Sequence, residues 1–410
     1  MIDLEEAIGL IEAEAGPLPP RRVRLADACG LPLAEAVLAD VDSPPWDRAM
    51  MDGFAVRDAD LAGGTAELDV LCDLAAGDVT SLEIRPGTAA RIMTGAPLPP
   101  GADAVVPIER AIDRTAAAHA GSRVRLADSA YRPGQHVARR GTAFSAGEAV
   151  LPAGLVLAAA EIGLAAEAGA THVVTRPRPR VAILSTGSEL VPPEALPGYG
   201  QTRNSNGPMI AAAVSLAGGE PIPMGIAADR PEAIRAAVSQ GLAADVLALS
   251  GGVSAGDLDL VPGILAECGV EKVFHKVRLK PGKPVFFGVL RREAAGPTLV
   301  FGLPGNPASS LVCFELFVRP LIRALAGAPR DAWHLPRVTA RLAAACRAPD
   351  GRPVFLPCRL EETAAGLNAE PLRWTGSSDL RGLAGASGLL ALEAGESRQP
   401  GDEVTVVLRA

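Results

Sequence analysis

The pattern of apolar and polar positions changes along the chain, and each change predicts a different kind of structure. An amphipathic pattern over residues 1–15 predicts a helix, and a second helical pattern covers about 153–168. Between them, residues 45–145 carry short apolar runs separated by Gly and Pro, which is typical of a small all-β region. Residues 176–180 alternate Arg and Pro, which predicts a stiff, extended linker.

From residue 181 the pattern alternates between buried-strand runs and helical runs. Strands are predicted at 181–185, 221–227, 245–250, 272–280, 284–290 and 298–303. Helices are predicted at 208–217, 231–242, 259–268 and 307–326. This alternation predicts a parallel, doubly wound sheet. Residues 331–410 consist of short strand and turn patterns, which predict a small β domain.

A chain of 410 residues is too long for one ordinary core. We therefore expect a multidomain α/β plus β protein, in which a central doubly wound α/β domain follows a β-rich N-terminal region and precedes a small C-terminal β domain. The predicted domains are an elongated N-terminal helical and linker domain (1–44 and 145–175), a β-rich domain (45–144), the α/β domain (176–328) and the C-terminal β domain (329–410).

The overall charge excludes several classes of function. The formal net charge is −8, whereas a general nucleic-acid or membrane-surface binder carries a basic stripe. No apolar stretch reaches the length of a membrane span, and the acidic N-terminus predicts a helix start and no signal peptide. None of the six cysteines has metal-ligand or C-x-x-C spacing. We expect a cytoplasmic protein with reduced cysteines that binds neither nucleic acid nor membrane.

Only four of the 39 basic residues are lysines, and all four lie between positions 272 and 283. Lysine is a compact point charge, whereas arginine is a planar fork. Alternation predicts that Lys276, Arg278 and Lys280 share one face of a strand, with a Pro-Gly turn before Lys283. Charges this close repel unless an anion or carboxylates neutralise them, so we expect a small oxyanion site, with Lys272 outside it. A solvated basic face is the alternative.

Three predicted strands end in loops rich in small residues, at the edge where open α/β sheets bind ligands. These loops are 185–189, 250–259 and 303–310. Their backbone N–H groups can approach an anion, and each loop leads toward a helix N-terminus that favours negative charge. One such loop is an ordinary glycine turn, but three at one edge predict an anion-binding cleft. The absence of P-loop and G-x-G-x-x-G fingerprints argues against P-loop NTPases and Rossmann dehydrogenases.

Carboxylates are also predicted at these strand ends, namely Glu189, Asp229, Asp257 and Asp259. Lysines beside several carboxylates are the groups expected for metal-assisted chemistry on a phosphate or an oxyanion. Asp229 has an alternative role as the cap of the helix that begins at Pro231.

Six motifs in a single order resemble the molybdopterin molybdenumtransferase family, which includes MoeA and the E domains of gephyrin and of its plant counterpart. They are MDGFAV (51–56), RIMTGAP (91–97), STGSEL (185–190), SGGVS (250–254), KPGKP (280–284) and LPGNP (303–307). The resemblance implies an enzyme that converts adenylylated molybdopterin and molybdate into molybdenum cofactor and AMP, with Mg²⁺ as the divalent cation. It also implies a homodimer with an active site shared between chains, and other cofactor-biosynthesis proteins as further partners.

Carried over to this sequence, the resemblance implies a set of site residues. The catalytic residues would be Asp52, Thr94, Glu189, Asp229, Asp259, Lys276 and Lys280, of which Asp52 and Thr94 reach in from the partner chain. The adenylylated molybdopterin would contact Thr186, Gly187, Gly251, Gly252, Ser254, Pro304, Gly305, Asn306 and Pro307. Molybdate would contact Lys280, Lys283, Pro284, Ser309 and Ser377. The cation would be held by Glu189, Asp229 and Asp259. Thr94 has the alternative role of an ordinary turn residue.

The sequence departs from the family pattern at several positions. Residues 142–144 lack a usual acidic residue, and residues 355–358 lack a usual arginine, for which Arg359 is a candidate replacement. Residues 47–49 and 204–208 are also variant. These departures motivate one alternative, a non-catalytic molybdopterin-binding paralogue acting as carrier, insertion partner or sensor. A second alternative is an enzyme that adenylylates molybdopterin or a similar substrate, although a lone α/β domain would suffice for that step.

Overall fold

The computed structural model describes residues 1–112, 118–253, 260–292, 296–364 and 366–409. The chain divides into a larger unit, Met1–Arg21 with Thr175–Ala410, and a smaller unit, Arg22–Val174. All six cysteines are unpaired thiols, as expected. Among the described residues, none of the helices has both the length and the apolar character needed to cross a membrane.

The larger unit is built around a six-stranded sheet with helices on both faces. Its strands are β1 (Arg180–Thr186), β2 (Glu220–Ala227), β3 (Val246–Ser250), β4 (Glu271–His275), β5 (Phe286–Leu290) and β6 (Thr298–Leu303). Its helices are α1 (Leu4–Ala13), α2 (Asn206–Ala217), α3 (Pro231–Gly241), α4 (Val261–Glu267) and α5, which begins at Pro307 and ends at Leu325. Alternate residues of β1 explain the two layers, because Val181 and Ile183 pack with α2 and α5, whereas Ala182 and Leu184 pack with α3 and α4.

The strand order is β2-β1-β3-β6-β5-β4. The first four strands are parallel, and β5 and β4 are antiparallel additions. The doubly wound prediction is therefore confirmed for a mixed sheet. The chain order reverses between β1 and β3, and such a switch point is where open α/β sheets bind ligands, beyond the carboxyl ends of the strands.

The predicted strand over 272–280 is shorter than expected, because β4 ends at His275. Lys276 follows with a φ of +77°. The next residues pair elsewhere, since Ile2 donates its N–H to the Lys276 carbonyl (3.1 Å) and accepts from the N–H of Arg278 (2.8 Å). Val277 and Leu279 are buried as the alternation predicted. The prediction that Lys276, Arg278 and Lys280 form one face of a single strand is wrong, because the pairing partner of the chain changes between them.

Helix α5 confirms the predicted long helix and contains one irregular stretch. Pro307–Cys313 and Arg319–Leu325 are α-helical, and Phe314–Val318 between them is a π-helical turn. Glu315 and Arg319 form an ion pair within this region, and both side chains are buried. Breaking a buried pair leaves a desolvated charge, so this part of α5 depends on both residues.

The last part of the larger unit is a closed five-stranded barrel, which confirms a C-terminal β structure. Its strands are Arg337–Leu342, Val354–Thr363, Gly366–Pro371, Gly388–Leu392 and Glu403–Leu408. The short helix Leu380–Ala384 is capped by Asp379, whose carboxylate accepts from the N–H groups of Arg381 (3.0 Å) and Gly382 (3.2 Å). Minor ribbons pair Leu190–Val191 with Thr202–Arg203 and Cys346–Arg347 with Ser397–Arg398.

The smaller unit contains a five-stranded sheet, as the short apolar runs predicted. In spatial order its strands are Ala104–Pro107, Gly53–Val56, Thr88–Ile92, Thr65–Leu74 and Arg123–Ala127. A separate apolar cluster includes residues of the helix Ala159–Glu167 and of the ribbon formed by Val37–Leu38 and Ala149–Leu151. Further short strands are Arg21–Arg24, paired with His172–Thr175, and Arg48–Ala49, paired with Val137–Ala138. The four-domain division stays a prediction.

Candidate functional site

A cleft of about 1320 Å³ lies at the carboxyl edge of the parallel strands in the larger unit. The loops after β1, β2, β3 and β6 border it, and the barrel supplies a further wall. The loop between β4 and β5 reaches the same edge, because the first residue of β5 pairs with the end of β6 and the end of β4. Most of the predicted site residues of this unit line the cleft. They are Thr186, Gly187, Glu189, Asp229, Gly251, Gly252, Lys280, Lys283, Pro284, Pro304, Gly305, Asn306, Pro307, Ser309 and Ser377.

Two carboxylates, Glu189 and Asp229, line the cleft at the β1 and β2 end. Asp229 accepts a hydrogen bond from the backbone N–H of Ser188 (2.9 Å) and donates its own N–H to the Ser188 hydroxyl (3.1 Å). The alternative role of Asp229 as a helix cap is wrong, because the cap position of α3 is Arg230 and no side chain caps it. The reciprocal bonds instead fix Asp229 beside the loop after β1.

A third predicted carboxylate, Asp259, lies outside the described residues, as do Asp257 and Ser254. Within the described part of the chain, no group of three or more His, Cys, Asp or Glu side chains could hold a metal ion. Two carboxylates in a cleft still suit Mg²⁺, which prefers oxygen ligands and often uses one or two carboxylates together with substrate phosphates and water.

The loop after β3 requires glycine for a steric reason. Gly251 has a φ of +95°, and a Cβ there would lie 2.4 Å from the carbonyl oxygen of Thr186. The Gly251 N–H donates to the carbonyl of Leu303 at the end of β6 (3.2 Å). The loop therefore lies directly against the neighbouring strand ends, which leaves its open side toward the cleft.

Asn206, the first residue of α2, is a site residue that the sequence prediction missed. Its side-chain amide donates to the Ser250 hydroxyl (2.6 Å) and to the carbonyl of Gly305 (2.8 Å). The side chain is buried and thereby joins the loops that follow β3 and β6. The signal in the sequence is the pair of asparagines at 204 and 206, because asparagine repeated at a helix start favours local side-chain hydrogen bonds.

Lys280 and Lys283 enter the cleft from one turn, and the turn is held on two sides. The Lys280 N–H donates to the carbonyl of Pro353 (3.0 Å), and its carbonyl accepts from the N–H of Phe355 (2.9 Å). The backbone of Lys280 is thus an added strand position beside the barrel. Between the lysines, Gly282 has a φ of +115°, and a Cβ there would lie 2.4 Å from the Cys313 sulfur. Burial raises the pKa of the Cys313 thiol, so this side chain packs as a neutral group.

Lys276 is not among the residues that line the cleft. The chain turns at this residue, whose N–H donates to the carbonyl of Val285 (2.8 Å), and its catalytic role stays a prediction. The exposed Arg278 pairs with Asp3, with a closest contact of 2.6 Å. The lysine cluster therefore contributes two side chains to the cleft.

Two serine hydroxyl groups also line the cleft. Ser309, in the first turn of α5, is 4 % exposed, and Ser377 comes from the loop before the capped barrel helix. The Asn306 amide donates to the Ser377 hydroxyl (2.8 Å), and the Ala308 N–H donates to the Ser377 carbonyl (3.0 Å). These bonds attach the barrel loop to the start of α5, and both serines line the same cleft as Lys280 and Lys283.

The cleft is basic in an acidic protein. Its described charged residues are Glu189, Asp229, Arg203, Lys280, Lys283, Arg347 and Arg352, of which five are basic and two are acidic. The whole chain carries a net charge of −8. This local excess of positive charge favours an anionic ligand.

Asp52 and Thr94 belong to the smaller unit and lie in direct contact. The Asp52 carboxylate accepts from both the N–H and the hydroxyl of Thr94, each at 2.7 Å. The Thr94 N–H, followed by its hydroxyl, lowers the pKa of Asp52. Asp52 is thus held in its charged form, which is the form that can bind a cation or accept a hydrogen bond.

The Asp52 contact gives a pH prediction. Thr94→Val removes the hydroxyl donor and leaves the N–H, so we expect the pKa of Asp52 to rise toward its ordinary value. A lowered pKa stabilises the fold above the ordinary value, and this contribution is lost as the pH falls through the folded pKa. Titration of the Asp52 carboxyl carbon by NMR measures the change. Thr88→Val in the same sheet is the control, and an unchanged Asp52 pKa in Thr94→Val would contradict the assignment.

The structure shows the surroundings of two departures from the family pattern, the missing arginine at 355–358 and the missing acidic residue at 142–144. Arg359 is exposed and lies 3.8 Å from Glu370, and it does not line the cleft, so it is not a replacement for the missing arginine there. Arg139 contacts Asp47 (2.6 Å) and Arg140 contacts Asp42 (2.5 Å). These carboxylates neutralise the two arginines in the absence of an acidic residue at 142–144.

Comparisons with known proteins agree along the chain. Residues 2–169 match the family model of the MoeA N-terminal region (domain I and II), and residues 182–324 match that of a probable molybdopterin binding domain. Residues 339–408 match the MoeA C-terminal region (domain IV).

Individual proteins are similar over most of their length. A molybdopterin molybdenumtransferase of Nostoc sp. is 40 % identical over 74 % of this chain and 69 % of its own length. Molybdopterin molybdenumtransferase 2 of Mycobacterium tuberculosis is 37 % identical over 90 % of each chain. The crystal structure of a molybdopterin biosynthesis MoeA protein from Pyrococcus horikosii has a TM-score of 0.81 and 32 % identity, covering 100 % of this chain and 99 % of its own.

Proposed function

The chain belongs to the molybdopterin molybdenumtransferase family, whose members insert molybdenum in cofactor biosynthesis, and we propose that it joins molybdate to adenylylated molybdopterin and releases AMP. The observation that carries this proposal is the basic cleft, in which Lys280 and Lys283 enter from one turn. An acidic chain that concentrates positive charge in one cleft is suited to a small anionic substrate.

In this proposal molybdate binds at the lysine end of the cleft, which is the part lined by Lys280 and Lys283. Lys280 and Lys283 hold its oxygens as point charges, and the hydroxyls of Ser309 and Ser377 donate hydrogen bonds. Pro284 limits the space beside Lys283. A tetrahedral dianion has no hydrogen-bond donor of its own, so a set of ammonium and hydroxyl donors matches its chemistry.

The loops after β1, β3 and β6 bind the adenylylated molybdopterin. Small residues allow backbone N–H groups to approach its phosphates, and the N-terminus of α2 favours their negative charge. The residues concerned are Thr186, Gly187, Gly251, Gly252, Pro304, Gly305, Asn306 and Pro307, together with Asn206, which holds two of the loops together.

Mg²⁺ is the proposed divalent cation, and Glu189 and Asp229 are the described residues that would hold it. When bound there, the cation would supply neutralising charge to phosphate oxygens.

The remaining proposals concern assembly and location. We propose a homodimer in which Asp52 and Thr94 complete the active site of the partner chain, since this pair holds a charged carboxylate ready for a ligand. We also propose the four-domain division given above, a cytoplasmic location and contacts with other cofactor-biosynthesis proteins. Sedimentation of the purified chain, with and without substrate, tests the dimer.

The experiment that tests the reaction is AMP release. The purified chain is incubated with adenylylated molybdopterin, Mg²⁺ and molybdate, and AMP is quantified by chromatography. The proposal requires AMP formation that depends on molybdate. Tight pterin binding without AMP would instead indicate a non-catalytic carrier, and ATP consumption in the absence of molybdate would indicate an adenylylating enzyme.

A further inference from the structure

The segment before the barrel strand Val354–Thr363 contributes an arginine, Arg352, to the cleft, and this arginine has no part in the function proposed so far. Arg352, Val354 and Leu356 all line the cleft, although the residues between them do not. Val354 and Leu356 belong to the strand Val354–Thr363, and Arg352 lies in the bend two positions before that strand begins.

The backbone bonds of Lys280 place this arginine near the lysines. Lys280 lies opposite Val354 in a parallel bridge, and its N–H donates to the carbonyl of Pro353 at 3.0 Å. Arg352 is two positions from Val354, so the Cα atoms of these two residues lie at most about 7 Å apart. The long side chains of Arg352 and Lys280 can thus approach the same small ligand.

Arg352 has no carboxylate partner among the residues that the structure describes. None of the hydrogen bonds and ion pairs among the described residues involves its guanidinium, although the residue is half-buried. Arg347, the other barrel arginine in the cleft, is more exposed and lies 3.7 Å from Asp350. An arginine without a carboxylate partner that lines a cleft with other basic residues favours an anionic ligand.

We propose that Arg352 binds an oxygen of the tetrahedral oxyanion held by Lys280 and Lys283, and so sets the affinity of this end of the cleft. The proposal rests on the proposed function for the identity of the ligand, which is either molybdate or a phosphate group of the nucleotide. A guanidinium can donate two parallel hydrogen bonds to such an anion, which an ammonium cannot do. Residues 355–358 lack the arginine that is usual in the family, and Arg352 would supply a guanidinium from a position nearby in the chain.

Calorimetric titration of the full-length protein with molybdate alone, and separately with AMP, tests the proposal. We expect Arg352→Gln to raise the Kd for one of the two ligands about tenfold or more, and Arg352→Lys to raise it less, because charge remains without the fork. Arg359→Gln is the matched control, since that arginine lies on the strand that follows Arg352, pairs with Glu370 and does not line the cleft. Its Kd values should stay within about twofold of wild type.

The outcome separates the two sources of the oxyanion. A change confined to molybdate assigns Arg352 to the metal oxyanion, and a change confined to AMP assigns it to phosphate. Unchanged affinity for both ligands in a folded Arg352→Gln protein would overturn the proposal, as would a wild-type protein that binds neither. Because the readout is binding, a wild-type chain that releases no AMP but loses molybdate affinity on Arg352→Gln would refute only the proposed reaction.

Discussion

Lys280→Ala is expected to reduce kcat/KM for AMP release about 100-fold or more, with little change in the melting temperature. The side chain is exposed in the cleft, and its charge stabilises an anion in a partly enclosed site, where one such group is often worth two to three orders of magnitude. The fold should tolerate the change because the bonds that hold this position are made by the backbone.

Lys280→Arg sharpens this prediction. It retains the charge, but a planar fork cannot replace a compact ammonium in a small site, so we expect about a tenfold loss. Lys272→Ala is the matched control, because this lysine lies on β4 and does not line the cleft. The assay is AMP release beside thermal melts. Near-wild-type turnover in Lys280→Arg would remove the requirement for a compact charge.

Gly282→Ala is expected to destabilise the larger unit by about 3 kcal/mol and to weaken molybdate binding, because it distorts the turn that carries both lysines. Two penalties combine in this variant. Alanine is strained at a φ of +115°, and its Cβ would lie 2.4 Å from the buried Cys313 sulfur. Chemical denaturation gives the loss of unfolding free energy, and calorimetry gives the loss of affinity.

Two further variants separate these penalties. Gly366→Ala meets a similar φ of +108° but no atom within 4 Å, so it should show the conformational penalty alone. Cys313→Ala in the Gly282→Ala background removes the clashing sulfur and should restore part of the lost stability and affinity. Equal losses for Gly282→Ala and Gly366→Ala, without rescue by Cys313→Ala, would contradict the steric explanation.

Local pattern predicted much of the larger unit because the central strands of its sheet are buried on both faces and α3 begins at a recognisable signal. The apolar run at 245–250 predicted a buried strand, and Val246–Ser250 is a buried strand of the sheet. Pro231 predicted the start of α3 correctly. The motif resemblance then identified Lys280, Lys283 and the loop residues, since these depend on backbone approach and small side chains that leave a clear trace in sequence.

The sequence predictions fail where the structure of a segment depends on the distant segment with which its backbone pairs. Alternation around Lys276 was correct as a burial pattern, but it could not show that the chain would pair with Ile2 and then with the barrel. Arg352 was overlooked for the same reason, because its position depends on the pairing of Val354 with Lys280, 74 positions earlier in sequence. Long-range pairing of this kind leaves no local period.

The strand order of the sheet also sets the distance between the carboxylate end and the lysine end of the cleft. Three interstrand steps separate β1, which precedes Glu189, from β5, which follows Lys283, and steps of about 4.8 Å make this about 14 Å. No single oxyanion spans that distance, so the molybdate proposed beside Lys280 and Lys283 and the cation proposed beside Glu189 and Asp229 would lie apart in the cleft. A substrate that joins a nucleotide to a pterin is long enough to extend between these two places. Cleavage of its proposed pyrophosphate link would leave two shorter products, each of which would keep only the contacts of its own part of the cleft.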